Sequence, residues 1–105
     1  MELISFQTSP RPKKRFLAVF RSSKGQIEKV HFSMKREKGL PMTYIDGASQ
    51  KKRDAYRARH QKALKSSGRT SPAHLAYHVT WGEAPDLERN LKSYLARFKI
   101  KDARN

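Results

Sequence analysis

The chain has 105 residues, of which 24 are lysine or arginine and 9 aspartate or glutamate, so its net charge is +15. That is the length of one domain, and its 36% of apolar residues falls below the roughly 45–50% of an average globular chain, enough for one modest core. No apolar run approaches the ~20 residues of a membrane helix. The opening MELISFQTSPRPKKR has no long apolar stretch of the secretory kind, and the lack of cysteine excludes disulfides, thiolate zinc sites and cysteine nucleophiles.

Residues 1–14 read as a basic, proline-containing leader. Ser9-Pro10-Arg11-Pro12-Lys13-Lys14 cannot be helical, because two prolines bias it toward extended backbone. The leader shows no apolar period, and alone in water it is expected to be mobile. A single domain is expected over 15–100. Arg15 to Arg21 reads as a strand, with Phe16, Ala18 and Phe20 on one face and Leu17 and Val19 on the other. Ser22-Ser23-Lys24-Gly25 reads as a turn in which Gly25 can take positive φ. Gln26 to Met34 reads as the second strand of a β-hairpin, with Val30, Phe32 and Met34 sharing a face and Ile27 and His31 the other. Two strands alone are marginal, so helices must cover them.

Residues 35–48 look irregular, punctuated by Gly39, Pro41 and Gly47, with Met42, Tyr44 and Ile45 pinning the loop to the core. Ser49 is placed to cap a helix running to about Ser67, and Gly68 stops it. Tyr56, His60, Ala63 and Leu64 recur at helical spacing and are expected as its buried stripe. Thr70-Ser71-Pro72 opens a short second helix to Trp81, with serine as cap and proline where its missing N–H is harmless. Pro85-Asp86 opens a third, whose Leu87, Leu91, Tyr94, Leu95 and Phe98 form the cleanest amphipathic pattern of the chain. Lys101 to Asn105 reads as a polar tail. The expected fold is α+β, an N-terminal β-hairpin packed against about three α-helices.

Chemistry points to a polyanion. Self-repulsion at +15 opposes the compact state, and solubility alone needs a net charge of only about 2–8. The segment 49–69 concentrates Lys51, Lys52, Arg53, Arg57, Arg59, Lys62, Lys65 and Arg69 against the single acid Asp54. Arg11, Lys13, Lys14 and Arg15 add a second basic group. Such side chains suit phosphate or carboxylate contact and carry no base code. Tyr56 and His60 interrupt the charges, but at core spacing, and read as packing residues rather than base-stacking ones. Trp81, the only tryptophan, likewise reads as core.

His74 and His78 have a spacing that could share a metal, but no acid or cysteine completes the shell, so half-buried histidines are the simpler reading. His31 reads as a packed or edge residue. No nucleophile elbow, phosphate-binding glycine loop or carboxylate cluster is present, so neither catalysis nor a cofactor nor a small-molecule substrate is expected.

Tyr44, Lys52-Arg53, Tyr56-Arg57-Ala58-Arg59-His60, Leu75 through Trp81-Gly82 and Tyr94…Arg97-Phe98 resemble a family of small basic proteins of giant DNA viruses, including algal viruses. Lys14 to Phe20 and Val30-His31-Phe32 resemble that family's opening hairpin. Where the family often has glycine after the second strand's phenylalanine, this chain has Ser33, and Asp46-Gly47-Ala48-Ser49 stands where it often has an acidic or histidine-containing stretch. The resemblance implies a virion setting, with host cytoplasm or nucleus during assembly. The expectation is then a non-enzymatic structural protein of a large virus particle, a minor capsid or internal component. Its basic helix and leader would bind anionic capsid surfaces, the leader ordering on contact with a neighbour. The second reading is a sequence-nonspecific DNA- or RNA-binding protein for genome packaging or a nucleoprotein assembly, in which the same residues touch phosphates. An anionic membrane is the weakest of the three partners, because the apolar stripe of the third helix is needed for the core.

Overall fold

A computed structural model describes residues 1–35 and 42–104 of the chain. Strands β1 (Glu2–Thr8), β2 (Lys14–Arg21) and β3 (Ile27–Met34) pair antiparallel in sequence order. A two-residue strand, β4 (Lys101–Asp102), adds parallel to β1, so the sheet order is β3-β2-β1-β4. Between β3 and β4 come a 3-10 turn (Tyr44–Asp46), α1 (Gln50–Lys65), α2 (Pro72–Leu75) running into a π-helical turn (Ala76–Thr80), and α3 (Leu87–Arg97). The fold is α+β. Gly39 and Pro41 of the expected loop lie outside the described residues.

The N-terminal expectation is corrected. Residues 2–8 are a sheet strand, not a mobile leader, and the hairpin is part of a four-stranded sheet. The cause of the misreading is a bulge. Leu3 pairs with Phe20 but Ser5 pairs with Val19, so Ile4 is an extra residue. A one-residue insertion flips side-chain parity, and Leu3 and Phe6 both join the core although they are three apart. The C-terminal tail is also held. The Lys101 and Ala103 amides donate to the Met1 and Leu3 carbonyls at 3.1 and 2.8 Å, and Arg104 pairs with Asp102 and Glu88 at 2.8 and 2.6 Å.

The core lies between one face of the sheet and α2, the π turn and α3. Leu3, Phe16, Phe20, Val30 and Phe32 meet Leu75, Val79, Leu91, Tyr94 and Leu95, with Phe98 at the margin. Phe6, Phe16 and Phe32 form a ring trio with centroids 5.4–5.8 Å apart. Most of the expected core is therefore present, but Tyr56 and Leu64 are outside it. Helix α1 has no buried residue at all: Tyr56, His60 and Leu64 are half-buried and Ala63 is exposed.

The helix starts follow local chemistry. The Ser49, Ser71 and Asp86 side chains accept from the Lys52, His74 and Arg89 amides at 3.1, 3.3 and 3.0 Å. The end of α3 is less expected. The Ile100 and Lys99 amides donate back to the Leu95 and Ala96 carbonyls at 2.9 and 3.3 Å, the double bond of a Schellman stop. Its left-handed position, φ 54°, is occupied by Lys99 rather than glycine. Ser33 is similarly left-handed at φ 66°.

Candidate functional site

The junction between α1 and the rest of the molecule is made by arginines. The π turn ends at Thr80 and leaves carbonyls without helical donors. Arg57 donates one guanidinium nitrogen to both the Tyr77 and Trp81 carbonyls at 3.0 and 2.9 Å, and its guanidinium lies 4.0 Å over the Tyr77 ring. Arg53 donates to the Gly82 carbonyl at 2.6 Å and pairs with Asp54 at 2.9 Å. Two cations thus close the negative end of the preceding helical segment. Burial, with the nearby charge of Arg53 and Arg97, holds the Arg57 pKa below its usual value, partly offset by Tyr77 and Glu83. Arg15 makes a two-pronged contact with Asp46 at 2.6 and 2.7 Å. Burial pushes the Asp46 pKa up, but hydrogen bonds from Arg15 and Thr43 outweigh it and hold the pKa below its usual value. Arg69 donates to the Phe98 carbonyl at the end of α3 at 3.0 Å.

Four of the arginines singled out in the sequence therefore have internal partners. The remaining cations of α1 do not. Lys51, Lys52, Arg59, Lys62 and Lys65 are exposed, and among the described residues none has a side-chain hydrogen bond or ion pair. At 3.6 residues per turn, Lys51, Ala55, Ala58, Lys62 and Lys65 fall along one line, with Lys52 and Arg59 on its flank. That line is opposite the stripe of Arg53, Tyr56, Arg57, His60 and Leu64 that meets the rest of the fold. The first turn of α1 contains Lys51, Lys52 and Arg53 and no acid, so cations crowd the positive end of the helix dipole. An external anion would relieve both kinds of repulsion.

The other basic group lies at one end of the sheet. Arg11 and Lys13 are exposed in the connection from β1 to β2, and Lys14 opens β2. Lys14 lines the same hollow as Tyr56 and His60 of α1. Sequence reasoning missed the character of that opening. Tyr56 stacks on His60 at 3.9 Å and on Trp81 at 4.5 Å between centroids, with planes within 17° and 10° of parallel. These rings are a half-buried ladder beside the basic helix, not core.

The histidines are accounted for by packing. His74 Nδ1 lies between the Ser67 and Ser71 hydroxyls at 3.3 and 3.2 Å, and the His74 and His78 rings are 5.9 Å apart. His31 Nδ1 is 2.7 Å from the Ser9 hydroxyl. Among the described residues no group of three His, Asp or Glu side chains could hold a metal ion, and no helix is long and apolar enough to cross a membrane. No protein-family model, curated protein or solved structure matches the chain.

Proposed function

We propose that the chain is a non-enzymatic, sequence-independent nucleic-acid-binding protein whose contact surface is the outer face of α1. One observation carries this reading. Lys51, Lys52, Arg59, Lys62 and Lys65 stand together, exposed and without acidic partners among the described residues, on a helix of 16 residues, about 24 Å long. Phosphates spaced along a backbone suit such a row, and lysine contacts to phosphate carry no sequence information. The side chains at the centre of the face are Ala55 and Ala58, which offer no hydrogen bonds to base edges. Genome packaging in a large DNA virus particle is the setting proposed for this activity, and it rests on the resemblance alone. A structural protein bound to anionic capsid surfaces would use the same cations, although residues 2–8 are ordered by pairing with β2 and need no neighbour for that.

The test is binding of the full chain to two duplexes of unrelated sequence. The variant Lys51→Gln, Lys62→Gln, Lys65→Gln should lose affinity by the same factor on both, at unchanged melting temperature. Unchanged affinity, or a loss confined to one sequence, would overturn the proposal.

A further inference from the structure

The aromatic ladder and the opening it borders point to a second element of recognition. A hollow of about 370 Å³ lies between α1, α2 and the adjoining ends of β2 and β3. Small planar ligands are held in spaces of ~300–1,000 Å³ with mostly apolar walls. Tyr56, His60 and Trp81 line it on one side, and Met34, Ala73 and Ala76 contribute apolar wall. Lys14 is at its margin, and among the described residues its lining contains no carboxylate. Met34 is 70% exposed, an apolar side chain left to solvent beside this space.

We propose that this hollow takes an unpaired nucleobase of a single-stranded nucleic acid, which extends the His60–Tyr56–Trp81 stack while Lys14 and Arg59, on the flank of α1 beside Tyr56, hold the flanking phosphates. The inference rests on the nucleic-acid reading above and adds a preference for unpaired bases over duplex. Three independent features converge on it. The ladder is already built, with all three planes nearly parallel, so a further planar ring meets a preorganised surface. The rings are only half-buried and stand outside the main core, which leaves them accessible from the hollow. Charge complementarity selects the occupant: an opening bordered by Lys14, with Arg59 on the adjoining flank of α1 and no acid in its lining among the described residues, suits a ring carried on a polyanion. Stacking platforms combined with a basic track are the usual means of binding single strands without reading sequence.

The only tryptophan is in the ladder, so its fluorescence reports directly on stacking. The full chain is titrated with a 15-nucleotide oligo(dT), an oligo(U) of equal length, an abasic oligodeoxynucleotide with the same phosphates, and a random duplex. Binding is followed by anisotropy and Trp81 emission separately. The expected result is that oligo(dT) and oligo(U) quench Trp81 emission by at least half, whereas the abasic strand and the duplex bind without quenching. His60→Ala, checked for an unchanged melting temperature, should reduce the preference for oligo(dT) over the abasic strand roughly tenfold, the usual value of one lost stacking contact. Binding by all four ligands with no quenching, or equal quenching by the abasic strand, overturns the stacking proposal and leaves the phosphate reading standing. Binding by none overturns both.

Discussion

Arg57 and Arg59 are two residues apart on one basic helix, and the structure gives them opposite roles. Arg57 donates to the Tyr77 and Trp81 carbonyls and covers the Tyr77 ring, whereas Arg59 is exposed with no side-chain partner among the described residues. Replacing Arg57 with alanine removes two charge-assisted hydrogen bonds and a cation–ring contact, each worth roughly 1–3 kcal/mol before solvent takes the vacated places. Trp81 and Tyr77 are half-buried, so water can reach those carbonyls, and the net loss should be about 2 kcal/mol. For a domain of this length that lowers the melting temperature by roughly 10 °C. Arg57→Lys should fall between, because an ammonium lacks the planar fork. Arg59→Ala should leave stability within about 0.5 kcal/mol and flatten the salt dependence of DNA binding by about one unit. The assay is thermal denaturation by circular dichroism beside a salt series on random duplex DNA. If Arg57→Ala melts like the parent and flattens the salt dependence as Arg59→Ala does, the assignment of Arg57 to the helix junction is wrong.

Further outcomes follow from single positions. Lys99→Gly should stabilise by about 1 kcal/mol in urea denaturation, because glycine takes the left-handed Schellman position without strain. Gly82→Ala should destabilise by more than about 2 kcal/mol, since a methyl there would lie 2.6 Å from the Asn90 side chain and still closer to the His78 carbonyl. It would disturb the buried Asn90, whose amide donates to the Val79 and Ala84 carbonyls at 2.9 and 2.6 Å. Burial, then the charges of Arg97, His74 and Arg57, presses the His78 pKa down to about 4. Glu83 and Tyr94 border the same space, and Tyr77 packs edge-on against the ring. The unfolded chain takes up this proton first, near pH 6.5, so the stability held by neutral His78 is complete above that pH. It falls as pH drops toward 4, by on the order of 2 kcal/mol after allowance for solvent screening. Denaturant melts at pH 7 and pH 4.5 should show it, and His78→Gln should reduce the difference. An unchanged difference in that variant would assign the pH dependence to other groups.

Local chemistry was legible in the sequence, and long-range chemistry was not. The turn before Gly25, the serine caps of α1 and α2, the start of α3 at Asp86 and its apolar period depend on neighbours within four residues, and each is where the pattern puts it. β1 was hidden because the bulge at Ile4 breaks the two-residue period that identifies a strand. The stop of α3 was hidden because lysine stands where glycine is usual. Among the basic residues, the partners of Arg15, Arg53, Arg57 and Arg69 come from distant segments that composition cannot assign. One signal was nevertheless present. Arg53 and Arg57 share the helical phase of Tyr56, His60 and Leu64, the stripe expected to face inward, whereas Lys51, Lys62 and Lys65 are on the opposite side. The aromatic ladder needed the fold, because Trp81 reaches Tyr56 only when α2 and its π turn pack along α1.

The central claim is that the unpaired cations of α1 contact phosphates. Affinity of the full chain for random-sequence duplex DNA, measured across a salt series, tests it most directly. The five exposed cations Lys51, Lys52, Arg59, Lys62 and Lys65 predict a log–log slope of about −4 or steeper, since each phosphate neutralised contributes about −0.9. Weak binding with a slope near zero would contradict the account and assign these side chains to the carboxylates of a protein partner.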